Sequence, residues 1–262
     1  MMHPDHLQQL TDAKRVLESP GIAARLSNAL GTPIEKALDL LPKGAGELVT
    51  SATRKALEAA MKAALTGMND DLKPPSKRFH KLTAAASGGI GGAFGLSALV
   101  VELPVSTTLM LRSIADIARS EGEALSEREA QLACLAVFAL GGPSASDDGT
   151  ETGYFGVRAA MAKAMSDALA HVSRHGMAQQ GAPAMVRFMS QIAARFSIPV
   201  SEKVAAQSVP IIGAVGGATI NTLFMDHFQK MASGHFVVRR LERLYGAREV
   251  KRQYALIPTS LS

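Results

Sequence analysis

Five polar residues in weakly charged surroundings are the strongest candidates for chemistry in this sequence. Glu102 ends a nearly uncharged stretch, and in a continuous helix it projects from the face that carries several glycines. An unpaired carboxylate would be costly to bury there. Arg112 and Asp116 are one helical turn apart, so they could form an exposed ion pair or join Glu102 and Asn221 in a buried cluster. With Asp226 added, these side chains could line the cleft of a hydrolase.

A simpler interpretation of Glu102 is favoured by its position just before Pro104. Proline is tolerated in the first turn of a helix, so Glu102 could stand at a helix N-terminus and complement the helix dipole. His227 shares a helix face with Gly213 in a second apolar stretch. It could reach Glu102 only if the two helices ran parallel, which a hairpin of adjacent helices would forbid. We therefore expect no contact between His227 and Glu102.

The histidine and acidic residues do not form a recognisable metal motif. His171 and His175 have the spacing of helical metal ligands, but no glutamate lies between them to serve as the base of a zinc protease. Asp147, Asp148 and Glu151 do not have the spacing of an EF-hand loop. Solvated histidines and a polar loop explain the two groups, so the sequence predicts no metal site.

Other catalytic and cofactor signatures are incomplete. In residues 89–94, phenylalanine occupies the place of the third glycine of a dinucleotide-binding turn, and no strand pattern precedes it. The sequence contains no phosphate-binding loop and no Gly-x-Ser-x-Gly elbow. Cys134, the only cysteine, lies in an apolar pattern typical of a small core residue. We expect no cofactor.

Basic residues flank the two apolar stretches. Such clusters suit the headgroups of anionic lipids, although an ordinary solvated helix face would explain them equally well. Nucleic-acid binding is disfavoured because a stacking platform needs aromatic side chains, and the chain has no Trp and three Tyr. The candidate lipid-binding residues are Lys77, Arg78, Lys81, Arg239, Arg240 and Arg243, and the second cluster continues through Arg248, Lys251 and Arg252.

The elements that must position these residues are predicted to be helices. Ala, Leu, Met, Lys and Arg dominate and no convincing alternation of β-branched residues is present, so the fold class is all-α. Residues 32–35 have the N-cap, first-turn proline and carboxylate of a helix start. Ser126 with Glu129 repeats this capping box, and residues 198–199 and 209–210 bracket a further helix start.

Two polar segments divide the chain. Residues 70–76 contain two adjacent prolines and predict a break between an N-terminal helical region, 1–72, and the remainder, 73–262. Residues 141–153 are rich in turn formers and predict a loop, followed by a long helix from Tyr154 to about residue 180. The C-terminal region would then hold every candidate site residue.

Residues 82–101 and 204–225 are each long enough to cross a bilayer but only weakly apolar. The free energy of transfer from water into the bilayer favours insertion of each stretch by only about a few kcal/mol, and it is weakened further by glycines, serines, Gln207 and Asn221. Small residues at four-residue spacing favour close helix contacts instead, so we predict central, glycine-rich, tightly packed helices. The two stripes are Ala84, Gly88, Gly91, Gly92, Gly95 and Leu99, and Gly213, Gly216, Gly217, Ile220 and Phe224.

Four motifs occur in an order and spacing that are hard to obtain by chance. They are GGIGGAFGLSALVVELPVSTTLMLRSIADIARSEG from residue 88, GYFGVR from 153, VPIIGAVGGATIN from 209 and FVVRRLERLYG from 236. Together they resemble the EcsC family of bacterial proteins, over about residues 17–246. The family takes its name from a protein encoded beside an ABC transporter. The resemblance therefore implies a membrane-linked setting and no established reaction.

Composition limits the classes of function. The 262 residues are 47% hydrophobic and 19% charged, which is too polar for a multi-span membrane protein, and the net charge of +5 permits an anionic partner. A single cysteine and a start without a secretory pattern favour the cytoplasm. We predict a non-enzymatic helical protein attached to the inner face of a membrane or to a membrane protein complex. The alternative is a cytoplasmic hydrolase, and the oligomeric state stays open.

Overall fold

The described part of the computed structural model comprises residues 2–19, 21–31, 33–67, 99–140, 153–175, 182–209 and 213–258. Within these ranges the chain forms ten α-helices and no strand, which confirms the all-α fold class. In chain order the helices are α1 (Pro4–Leu17), α2 (Ile22–Leu30), α3 (Ile34–Asp39), α4 (Ala45–Gly67), α5 (Leu99–Ser120), α6 (Arg128–Ala136), α7 (Tyr154–His175), α8 (Pro183–Gln207), α9 (Gly213–Tyr245) and α10 (Ala247–Leu256).

The longest helices enclose the main hydrophobic core. Helix α4 packs against α5 and α8, α9 packs against α1 and α5, and α7 packs against α8. At the centre, the rings of Phe138, Phe196 and Phe228 are fully buried, with centroids 4.9 to 5.4 Å apart. Each ring removes a large apolar surface from water, at roughly 25 cal/mol per Å². This burial holds together helices that are distant in the sequence.

Helices α5 and α9 run parallel. Glu102 hydrogen-bonds Asn221, and further along both helices Ser113 hydrogen-bonds Gln229, so the contacts advance in the same direction. The expected hairpin arrangement is therefore wrong, because α6, α7 and α8 intervene and return the chain to the starting end. The register places Asn221 opposite Glu102 and His227 about 9 Å further along α9.

Both predicted capping boxes are shifted by one residue. Helix α3 begins at Ile34 with Pro33 at its N-cap, where Thr32 was expected, and its first N–H donates to Ser27 Oγ at 2.9 Å. Helix α6 has Glu127 at its N-cap, so the capping box assigned to Ser126 is wrong. A sequence pattern identifies residues able to cap, whereas the tertiary contacts select which one is used.

Two prolines lie inside helices and do not begin them. Pro199 is within α8, so the predicted start there is wrong, and Pro104 is within α5, so Glu102 does not precede a helix that begins at this proline. An interior proline costs about 3 kcal/mol because it removes one hydrogen bond and crowds the preceding turn. Around Pro199, Phe196 and Val200 are fully buried, and their burial offsets that cost.

Several predicted features fall partly or wholly beyond the described ranges. The break at 70–76, residues 82–98 and most of the loop at 141–153 lie outside them, as do all members of the first glycine stripe except Leu99. The domain boundary after residue 72 also lies there and stays a prediction. The long helix that begins at Tyr154 as predicted ends at His175, and the residues that follow it, 176–181, are likewise undescribed.

The second apolar stretch forms the end of α8 and the beginning of α9. Within α9, Gly217 is buried, and Ile220 and Phe224 are each 1% exposed. Among the helices that the structure describes, none combines the length and apolarity needed to cross a membrane. Close packing through the glycine stripes remains a prediction.

A glycine turn sets the direction of the last helix. Gly246 separates α9 from α10 and has φ +83°, a left-handed conformation that favours glycine. Beyond it, Val250 and Tyr254 are buried with Leu10 and Leu241 in a smaller hydrophobic cluster. Because α10 is fixed through this side, its opposite side faces solvent.

Candidate functional site

Glu102 belongs to a buried ion pair at the junction of α5, α8 and α9. Lys203 Nζ donates to its carboxylate oxygens at 2.8 and 3.0 Å, and Asn221 Nδ2 donates to Glu102 Oε1 at 3.1 Å. The Lys203 side chain is fully buried and that of Glu102 is 7% exposed. The ammonium also lies 5.1 Å from the ring centroid of Phe224. The carboxylate is thus neutralised inside the core.

Two other candidates on α5 lie far from this pair. Arg112 is exposed, and Asp116 accepts a hydrogen bond from Arg119 at 3.2 Å. At 1.5 Å per residue, Arg112 and Asp116 are about 15 and 21 Å further along the helix than Glu102. They therefore do not join the buried cluster with Glu102.

Asp226, on α9, has partners of its own. Its carboxylate pairs with Arg25 of α2 and with Lys230 Nζ at 3.1 Å. The structure thus brings together Glu102 and Asn221 but does not gather all five candidates in one cleft.

Lys203 is the partner of Glu102 that reasoning from the sequence missed. It stands immediately before residues 204–225, the second apolar stretch, and was treated only as the N-terminal boundary of that stretch. A cation next to one uncharged stretch and an anion next to the other could neutralise each other, but Glu202 stands beside Lys203 in the sequence and offered a nearer counterion. Choosing this pairing required the parallel packing of α5 and α9, which the sequence does not encode locally.

The predicted lipid-binding arginines on α9 face an acidic turn after α5. Arg239 Nε and Nη2 donate to the two oxygens of Glu123 at 2.8 and 3.1 Å, and Arg243 pairs with the same carboxylate. Arg240 Nη1 lies 2.7 Å from Glu121 Oε2. Burial alone would raise the pKa of Glu123, but the two guanidiniums more than offset it and hold the pKa below its ordinary value.

These contacts limit the surface that the arginines offer. The side chains of Arg239, Arg240 and Arg243 are 16%, 31% and 42% exposed, and each is bound to an acidic side chain. The N-terminal part of the predicted basic surface, Lys77, Arg78 and Lys81, lies outside the described residues. The role of both groups in lipid binding stays a prediction.

A second buried network joins α7 to α9. Arg158 forms a two-pronged ion pair with Glu242 at 2.8 and 2.9 Å, and its Nη1 lies 3.2 Å from Tyr154 Oη. Tyr154 Oη is 2.8 Å from His235 Nδ1. Arg158 can only donate to the Tyr154 oxygen, whereas the bond between Tyr154 and His235 runs in the direction that the tautomer of the imidazole sets. The sequence motifs contain most of these residues, but none of them stood out as a candidate for chemistry.

This network borders a small cavity. Burial, and then the nearby Arg158 and Arg239, hold the pKa of His235 well below its ordinary value, so its ring stays neutral. Burial also raises the pKa of Tyr154. His235 and both arginines line a cavity of about 270 Å³ beside Met161. Among the described residues, the Nε2 atom of this ring is buried and has no hydrogen-bond partner.

The remaining candidate ligands and nucleophile have ordinary surroundings. Cys134 is fully buried, and burial raises the pKa of its thiol. In the described ranges, no three His, Cys, Asp or Glu side chains are grouped so as to hold a metal ion. His171 lies on α7 near its end, whereas the side chain of His175 and the acidic residues of the 141–152 loop fall outside those ranges.

Glu202 is a buried carboxyl group that should make the stability of the protein depend on pH. Burial, with a smaller contribution from Glu35, raises its pKa from 4.5 to about 7. Because the folded state then holds a proton that the unfolded state has lost, stability falls as the pH rises from about 4.5 to 7. Glu202→Gln removes this titration. The unfolding free energy of the variant minus that of the wild type should therefore be larger at pH 8 than at pH 5, by up to about 3 kcal/mol.

Urea unfolding of both proteins at the two pH values measures this difference. Glu47→Gln, at an exposed position of α4, serves as the control and should change stability equally at both. A Glu202→Gln difference that does not vary with pH would contradict the buried, protonated carboxyl.

Comparison with protein families places most of the chain in one match. The model described as the EcsC protein family matches residues 5–241. The match includes the Glu102–Lys203 pair and Tyr154, Arg158 and His235 of the second network, but not Glu242, and it ends six residues before α10 begins. Comparison with curated proteins and with solved structures returned no match.

Proposed function

We propose that this chain, which belongs to the EcsC protein family, is a non-enzymatic helical protein that binds the surface of an anionic membrane as an accessory to a membrane complex. The observation that carries the proposal is the exposed side of α10, which combines basic and apolar side chains. The accessory role is supported by the membrane-linked setting that the family resemblance implies. The proposed location is the cytoplasm, at the inner face of the membrane.

The exposed side of α10 forms a cationic surface. Arg248, Arg252 and Leu256 succeed one another at four-residue spacing, and Lys251 lies one turn from Arg248, so their side chains share one side of the helix. All four are exposed, Leu256 to 69%. The helix contains three basic residues and one acidic residue, Glu249, which pairs with Arg252 at 2.8 Å. Its net positive charge suits an anionic surface.

The other side of α10 fixes this surface to the body of the protein. Tyr254 is buried, and Lys14 of α1 donates to the carbonyl oxygens of Tyr254 and Ile257 at 2.9 and 2.7 Å. A lysine at this position satisfies carbonyl groups that the end of the helix leaves unpaired. The helix that carries the basic side chains is thus held in place before it meets a partner.

The charge of the surface sets the expected strength of binding. Each basic residue near an anionic bilayer contributes about 1 kcal/mol, and one leucine at the interface adds an apolar contact. Salt screens this attraction over a Debye length of about 10 Å at 0.1 M. Attachment through α10 should therefore be peripheral and reversible.

Sedimentation with lipid vesicles tests the proposal. Vesicles that contain phosphatidylglycerol should retain the protein at about 0.1 M salt and release it near 1 M, because screening removes the attraction. Reversing the charges in Arg248→Glu, Lys251→Glu and Arg252→Glu should abolish retention. The α9 arginines are unsuitable for this test, since reversing them would break ion pairs with the partly or fully buried Glu121 and Glu123, whereas the exposed pair of Arg252 with Glu249 contributes little to stability.

A matched control reverses three exposed basic residues on other parts of the surface, namely Lys43, Lys55 and Arg187. This control should keep most of its binding, although both triple variants have the same net charge. Equal loss in the two variants would show that only net charge matters, and retention of the α10 variant would show that α10 is not the binding surface. Retention of the wild type through high salt would contradict peripheral attachment.

A further inference from the structure

A large apolar cavity lies between α4 and α8, far in sequence from α10. It has a volume of about 620 Å³ and an opening to solvent. Its walls include Leu57 and Met61 from α4 and Met185, Met189 and Ala193 from α8. Methionine side chains adapt to irregular apolar shapes, and cavities of this size hold small molecules. The interior therefore suits a flexible hydrocarbon chain.

An unsatisfied hydroxyl group lies in the wall of this cavity. Thr53 is 1% exposed, and within the described structure its Oγ1 has no hydrogen-bond partner. Threonine in a helix commonly donates to the carbonyl group one turn earlier, as Thr50 does to Gly46 at 2.8 Å. A buried hydroxyl without a partner costs free energy. A polar atom of a ligand in the cavity would remove that cost.

Two opposite charges stand at the edge of the same cavity. Arg54 and Glu58 both line it, are exposed and are one helical turn apart on α4. They offer a guanidinium for a phosphate group and a carboxylate for an ammonium group at neighbouring positions. A simple fatty acid would leave the carboxylate without a counterpart, whereas a zwitterionic headgroup uses both charges.

We propose that the cavity between α4 and α8 binds a single-chain zwitterionic phospholipid, with its acyl chain among the methionines. The phosphate group then faces Arg54, the ammonium group faces Glu58, and an oxygen of the glycerol or ester region reaches the Thr53 hydroxyl. No covalent step is involved. This site is separate from the α10 surface, so it can fail or succeed independently of the proposed membrane attachment.

Calorimetric titration with 1-lauroyl lysophosphatidylethanolamine, below its micelle concentration, tests the site. The wild type should bind this lipid at least about tenfold more tightly than laurate, because laurate lacks the phosphate and ammonium groups. Glu58→Ala should weaken binding of the lipid by about tenfold, because the ammonium group loses its counterion, and should not weaken the binding of laurate, which has no ammonium group. Laurate bound as tightly as the phospholipid would overturn the proposal.

Two tryptophan variants separate the cavity from the rest of the surface. Ser190 and Gln191 are adjacent residues of α8, but only Ser190 lines the cavity. Ser190→Trp should block it and weaken lipid binding by more than about tenfold, whereas Gln191→Trp should bind as wild type. Equal binding by the two variants would contradict the cavity. Both should still sediment with anionic vesicles, which depends on α10.

Thr53→Val separates ligand binding from folding. The change removes the unsatisfied hydroxyl with little change in volume, so the free protein should melt at the same or a higher temperature. Affinity for the lysophospholipid should nevertheless fall severalfold. A lower melting temperature with unchanged affinity would assign the hydroxyl to the fold and contradict its contact with a lipid.

Discussion

Replacing Lys203 with methionine is expected to lower the free energy of unfolding by about 3–5 kcal/mol. The substitution preserves much of the side-chain volume but leaves the Glu102 carboxylate buried, with the Asn221 amide as its remaining partner among the described residues. A buried charge that has lost its counterion is far more costly than a buried pair. Urea unfolding at neutral pH measures the change.

Two further variants show whether the effect belongs to the pair. Glu102→Leu combined with Lys203→Met removes both charges and should recover most of the lost stability. Lys230→Met removes an ammonium that is 52% exposed and pairs with Asp226, and should cost less than about 1 kcal/mol. If Lys203→Met cost no more than Lys230→Met, the buried ion pair would not stabilise the junction of α5, α8 and α9.

Replacing Gly234 with leucine is expected to destabilise the protein by about 3 kcal/mol. A Cβ atom at Gly234 would lie 2.7 Å from Leu17 Cγ and 3.2 Å from the Ala13 carbonyl oxygen, because α9 packs closely against α1 there. A larger side chain must push the two helices apart and disturb the cluster that supports α10. Thermal unfolding should show a clearly lower melting temperature.

Gly46→Leu is the matched control for this substitution. A Cβ at Gly46, near the beginning of α4, has no heavy atom within 4 Å, and leucine favours the helix more than glycine does. Its melting temperature should equal or exceed that of the wild type. Equal melting temperatures for Gly234→Leu and the wild type would show that α1 and α9 do not depend on this close approach.

The sequence predicts the kind of fold and some of its special residues. Helix propensity and the absence of strand patterns are local properties, so the all-α class follows from them, and the start of α3 follows to within one residue. Glu102 stands out because a carboxylate in an apolar stretch needs a partner, and Asn221 was among the partners considered. Glycine contacts were assigned to stripes around Gly92 and Gly217, whereas Gly234 belonged to neither stripe.

Residues that are distant in the sequence form the contacts that could not be predicted. Lys203 is separated from Glu102 by 101 positions, and Glu123 from Arg239 by 116. Which charges meet depends on helix direction and register, and the parallel arrangement of α5 and α9 follows from three intervening helices. For the same reason, the sequence predicts an open basic surface at the α9 arginines, whereas the fold pairs them with Glu121 and Glu123.

The role of α10 depended on burial as well as charge. Arg248, Lys251 and Arg252 continue the same basic run as Arg239 and Arg243 in the sequence. The structure distinguishes the two groups, because α10 is exposed on its basic side, whereas the α9 arginines are bound to the acidic turn. The Gly246 turn, which separates the two helices, produces this difference.

Fractionation of cells that express the chain shows whether attachment to the membrane is peripheral. The membrane fraction is washed first with salt near 1 M and then with alkaline carbonate, because salt removes proteins held by charge and leaves inserted helices in place. We expect the protein to sediment with membranes at low salt and to be released by the salt wash. Recovery in the soluble fraction at low salt, or resistance to both washes, would contradict peripheral attachment through α10.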